Sequence, residues 1–186
     1  GQKQKLSLLV GCKKSSIDSV WKEKTLKIFF HMEEELGGDR YKIALPDNRK
    51  VIIQFVNPEQ LDKKNDNGQY RFEGKDFEDM IVDESHIYVD TESDRFLELQ
   101  RLTNENLSMK VLLLSATPYQ GGHIERYAAQ LILLNKDITP VDAKRILEGA
   151  KKKGEEYLLK WVYEHITHPY MALFSHGILE NRFSPL

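Results

Sequence analysis

The chain predicts an α/β fold on a mostly parallel central sheet. Three observations carry this reading. Short apolar runs occur at LSLLVG, VIIQFV, DMIV and KVLLL, with the length and character of strands covered on both faces. Segments with helical apolar spacing separate several of these runs, as crossover connections require. Each run then ends in small or polar residues, and in open parallel sheets chemistry gathers beyond the carboxyl ends of strands.

The elements follow in order. KLSLLVGC (5–12) reads as a buried strand ending at Gly11. SSIDSVWKEKTLKIFFHMEEEL (15–36) predicts a helix capped by Ser15 or Ser16, with Ile17, Val20, Trp21, Leu26, Phe29 and Phe30 on its apolar face and Gly37-Gly38 as its stop. YKIALPDNRKVIIQFVN (41–57) holds two strand-like runs around a turn at Pro46-Asp47-Asn48. Pro58 opens a short helix, and Asn65 to Gly68 reads as an exposed loop. DMIVD (79–83) is a strand, residues 93–102 are a helix with Ser93 as cap, and KVLLLSATP (110–118) is a strand closed by small residues and proline. Helices are predicted over 124–134, 140–149 and 155–166, before an irregular or weakly strand-like end.

Bulk properties narrow the class. The 186 residues fit one domain of ordinary size. The formal net charge of −2 gives no whole-protein field that would drive nucleic-acid binding, although Lys3-Lys5, Lys13-Lys14, Lys22-Lys24 and Lys151–Lys153 could build a local basic face. The single cysteine, Cys12, excludes a disulfide within the chain and a cysteine-rich zinc site, and suits an intracellular compartment, cytoplasm or nucleus. No apolar run approaches the ~18 residues of a membrane span, so no membrane partner is expected.

The most informative stretch is MIVDESHIYVD, residues 80–90. Two adjacent carboxylates after an apolar run need either water or a cationic partner. An acid at a strand tip, Asp83, can hold Mg²⁺ through water, and the carboxylate beside it, Glu84, can orient an attacking water. A solvated strand end explains the same residues. LLLSATP follows about thirty residues later, again at the end of an apolar strand.

The pair DESH and SATP resembles motifs II and III of the superfamily 2 helicases and Swi/Snf-type translocases. The resemblance implies a RecA-like three-layer fold and a nucleic-acid-dependent ATPase using Mg²⁺ and ATP. It assigns Asp83 and Glu84 to metal and water, and His86 to coupling nucleotide to motif III. Ser115, Ala116, Thr117 and Pro118 would link the nucleotide site to the nucleic-acid site and the second motor domain. LSLLVGCKKSSIDSVWKEKTLKIF resembles motif Ia of the same proteins, which places Lys13, Lys14, Ser15 and Ser16 on a nucleic-acid backbone, DNA ahead of RNA. HPYMALFSHGILENRFSPL is similar to a segment of large-DNA-virus helicase-like ATPases that leads into the second motor domain; a viral parent would work in the host cytoplasm.

The chain contains no GxxxxGK[ST] phosphate cradle. Gly11-Cys12-Lys13-Lys14-Ser15 lacks the spacing and second glycine, and follows the strand expected for motif Ia. The expectation is therefore that residues 1–186 form a single partial first RecA-like domain. Its partners would be the missing Walker A segment and second motor domain of a parent. Mg²⁺ and ATP would be bound by that parent, not by this chain alone. Without the Walker A strand the sheet should have a gap, a substitute strand (YKIAL or FSHGIL) or an open edge available to a second copy. The rival function is a degenerate RecA-like module that binds nucleic acid or a partner protein without turnover. An unrelated flavodoxin-like or other α/β domain is the third class.

Overall fold

The computed structural model describes residues 6–72, 75, 77–90, 93–117, 123–136, 138–165, 173–175 and 178–180. In chain order the elements are β1 (Leu6–Gly11), α1 (Lys14–Ser16), a π-helical segment (Ile17–Leu26), α2 (Lys27–Phe29), β2 (His31–Glu35), β3 (Arg40–Ala44) and β4 (Lys50–Val56). There follow α3 (Pro58–Leu61), β5 (Asp79–Val82), a 3₁₀ turn (Ser85–Ile87), α4 (Asp94–Glu105), β6 (Lys110–Leu113), α5 (Ile124–Leu134), α6 (Pro140–Lys153), α7 (Glu155–His165), β7 (Leu173–Ser175) and β8 (Ile178–Glu180).

Six strands form one sheet in the order β2-β3-β4-β1-β5-β6. β4, β1, β5 and β6 are mutually parallel, whereas β2 and β3 join antiparallel beside β4. The strand period of two explains why both faces are covered. Leu9, Val56, Met80 and Val82 face a core shared with Phe96, Leu99, Leu131 and Trp161 of the later helices. Val10, Phe55, Ile53 and Val51 face the other way, beside Tyr41 and Ile43 of β3 and onto Ile17 and Leu26. The central strands β1, β4 and β5 are largely apolar because both of their faces are covered.

Local signals account for the connections. Asn57 caps α3, with its Oδ1 accepting from the Gln60 amide at 2.9 Å while Gln60 Oε1 accepts from the Asn57 amide at 3.0 Å. Pro58 occupies the first turn, where its missing N–H costs nothing. Thr139 caps α6 with its Oγ1 accepting from the Asp142 amide at 3.2 Å, and Gly154 (φ 78°) ends it in a conformation that favours glycine. A cap of this kind contributes about 1 kcal/mol.

Two local expectations fail. The helix predicted over 15–36 stops at Phe29, and HMEEE is the edge strand β2. Its glutamates favour helix by propensity, but pairing with β3 decides otherwise: Glu33 reaches Lys42 at 3.5 Å and also pairs with Lys50. The apolar face is also redrawn. Residues 17–26 wind as a π-helix, with the Lys27 amide bonding to the Lys22 carbonyl, so the α-helical register breaks. Ile17 and Leu26 are buried; Val20 and Phe29 are 44% and 71% exposed.

The candidate substitute strands lie elsewhere. YKIA pairs on β4, at the far side of the sheet from β6, and LFS pairs with ILE in a separate two-stranded sheet. Among the described residues β6 pairs with β5 alone, and Leu112 and Leu114 are 51% and 38% exposed. The two sheet edges thus differ: β2 is charged, as a permanent edge should be, whereas β6 has the composition of an interior strand.

Candidate functional site

Parallel pairing brings the carboxyl ends of β4, β1, β5 and β6 to one edge of the sheet. Backbone bonds stitch the outgoing loops together. The Cys12 amide donates to the Val56 carbonyl at 2.9 Å, the Asp83 amide to the Gly11 carbonyl at 2.8 Å, and the Ser85 amide to the Leu114 carbonyl at 2.8 Å. Asn57, Lys13, Asp83 and Ser115 therefore leave the sheet side by side, although they lie far apart in sequence.

Asp83 and Glu84 are half-buried. Among the described residues the Asp83 carboxylate has no ion pair or hydrogen bond, so no protein cation neutralises it. Glu84 adopts the left-handed conformation (φ 52°, ψ 48°). For a glutamate this backbone costs on the order of 1–3 kcal/mol, and such strain concentrates at functional sites. Glu84 Oε2 lies 3.4 Å from His86 Nδ1. The same nitrogen lies 2.9 Å from Ser115 Oγ, which accepts from the Thr117 amide at 3.1 Å. DESH and SAT thus touch directly through one imidazole. Ala116 and Thr117 are exposed, and Pro118 lies outside the described residues.

On β1's side, Lys13, Lys14 and Ser15 are exposed and Ser16 is half-buried. Neither lysine has an ion-pair partner among the described residues. Cys12 beside them is fully buried, and burial, with the Asp83 and Asp39 carboxylates nearby, pushes its thiol up to about 12. It is a neutral packing residue.

The carboxylate pair is a hard-oxygen donor set, and among the described residues no group of three or more His, Cys, Asp or Glu side chains could cage a metal. Mg²⁺ takes one or two such hard-oxygen carboxylates and completes its shell with water and phosphate oxygens.

Two residues escaped the sequence reading. Ser85 Oγ donates to Gln130 Oε1 at 2.8 Å, tying the 3₁₀ turn to α5. The signal was available: Gln130 is a lone polar residue within the apolar run AAQLILL. Tyr88 is fully buried, its ring against Gly11, with a hydroxyl that has no partner among the described residues. Burial pushes that phenol well above its usual range.

Comparison with known proteins now gives the class. Residues 2–120 match the family model for the type III restriction enzyme, res subunit. That span is well over half of the chain, and the chain belongs to this family. The sequence has no match among curated proteins. Among solved structures it is similar to the Sulfolobus solfataricus SWI2/SNF2 ATPase core in complex with dsDNA, with a TM-score of 0.45 and 14% identity. That likeness covers 89% of this chain and 33% of the other, so the chain spans about a third of that neighbour's length.

Proposed function

We propose that this domain is one portion of a nucleic-acid-dependent ATPase motor, a superfamily 2 helicase or translocase. The observation that supports it best is the contact of His86 Nδ1 with both Glu84 and Ser115, which joins the end of β5 to the end of β6. Asp83 would hold Mg²⁺, with phosphate oxygens completing the shell. When bound, the ion neutralises developing phosphate charge. Glu84 orients a water and accepts its proton. His86 feels the state of Glu84 and passes it to Ser115, whose hydroxyl fixes the Thr117 amide and hence the turn after β6. Lys13 and Lys14, at the same sheet edge, are free to meet backbone phosphates, DNA ahead of RNA.

No phosphate cradle of the GxxxxGK[ST] form is present in these 186 residues, so the isolated chain is expected to show negligible ATP turnover. A longer protein that supplies such a cradle is expected to hydrolyse ATP with nucleic-acid stimulation. There, Glu84→Gln should lower turnover about 10²-fold or more, and His86→Ala should keep basal turnover but lose the stimulation. Wild-type turnover by the Glu84→Gln protein would overturn the assignment.

A further inference from the structure

The antiparallel pair α6 and α7 encloses an open groove of about 440 Å³, within the range of small-ligand sites. It is lined from α6 by Arg145, Ile146 and Lys153, and from α7 by Tyr157, Lys160, Trp161 and Glu164. Ile146 and Trp161 are 4% and 6% exposed and form an apolar floor. Tyr157 lies across the α6 backbone at Gly149. A Cβ there would come within 2.4 Å of its ring, so glycine lets the two helices approach. Lys153 Nζ sits 4.7 Å from the centre of the same ring.

The rim carries three cations against one carboxylate. Lys153 stands at the carboxyl end of α6, where the helix dipole favours cations. That accounts for neither Arg145, two turns earlier, nor Lys160 on the other helix. Arg145 gives Asp142 one hydrogen bond of 2.9 Å and is 77% exposed, leaving most of its guanidinium fork available. Lys160 meets Glu164 only at 3.9 Å, with both side chains largely in water, a pairing worth little. We propose that this groove binds a nucleic-acid phosphate, with Arg145 and Lys160 gripping it from opposite rims and Lys153 from the end. A guanidinium fork matches phosphate geometry, and an open groove lets a polymer pass. The choice of nucleic acid over an acidic peptide rests on the motor reading above.

The test is binding of a fluorescent DNA oligonucleotide, single-stranded and duplex, to the 186-residue chain across a salt series. The triple variant Arg145→Ala/Lys153→Ala/Lys160→Ala is expected to bind about tenfold or more weakly, with the log–log salt slope reduced by about 2 to 3. The variant Lys13→Ala/Lys14→Ala is measured beside it. An unchanged affinity and slope in the triple variant, with weakening in the Lys13/Lys14 variant, overturns the groove and leaves the motor reading standing. Tighter groove-dependent binding of a glutamate-rich peptide than of DNA also overturns it. No DNA binding by the parent chain overturns the groove and the nucleic-acid part of the motor reading together. Thermal melting of each variant confirms that these surface changes leave the fold intact.

Discussion

Two acids sit about equally deep in the sequence pattern and meet opposite fates. Glu98, in the middle of α4, is fully buried and fully satisfied. Arg101 grips it with two bonds, 2.8 Å to Oε2 and 3.1 Å to Oε1, and the Phe72 amide donates to Oε1 at 3.1 Å. Asp83, at the end of β5, is half-exposed and has no protein partner among the described residues. A carboxylate that serves the fold must be compensated inside it, because an unpaired buried charge is costly. A carboxylate with the role proposed for Asp83 would be left uncompensated until its ligand arrives, at some expense to stability.

That contrast can be broken most sharply at Glu98. Glu98→Ala leaves Arg101 with Glu105 as its remaining carboxylate and the Phe72 amide without its acceptor. The expected loss is about 3 kcal/mol, read from urea denaturation, and Glu98→Gln should recover part of it by keeping the acceptor. A loss below about 1 kcal/mol would mean that water replaces the carboxylate freely.

Cys12 tests the second acid's surroundings. Its thiol, ordinarily near 9.0, is pushed up to about 12 by burial and by Asp83 and Asp39. The folded state therefore holds the proton more tightly than the unfolded state. The sign follows: this contribution to stability is complete below about pH 9 and is lost as pH rises towards 12. Cys12→Ala should flatten the alkaline limb of the stability profile, and the folded chain should resist thiol alkylation at pH 8. An alkaline limb of unchanged slope would contradict this.

The smallest effect is expected at Asp83. Asp83→Asn removes a charge that none of the described residues neutralises, so stability should change by less than about 0.5 kcal/mol, while ATP turnover by the longer protein should collapse. A large destabilisation would make Asp83 a structural acid like Glu98.

Much of this was legible from residue order. The apolar runs VIIQFV and DMIV specify strands that are buried on both faces. Pro46-Asp47-Asn48 marks the hairpin, where Asn48 takes a φ of 62°. DESH and SAT announce themselves as strand-end motifs. The edge strand HMEEE was not legible, since its helical propensity yields to pairing with β3 and to Lys42 and Lys50 across the strand. Nor was the π-helical winding that exposes Phe29 while burying Leu26.

The alternation of apolar strands and helices, the absence of a phosphate cradle and the presence of two strand-end acids belong to the sequence alone. They follow from local periodicity and from residue chemistry at short range. Only the tertiary structure decided that one imidazole would touch both Glu84 and Ser115, that β6 would stand at an edge, and that three cations of α6 and α7 would share one groove. Those facts depend on which strands and helices become neighbours, and non-local packing settles that.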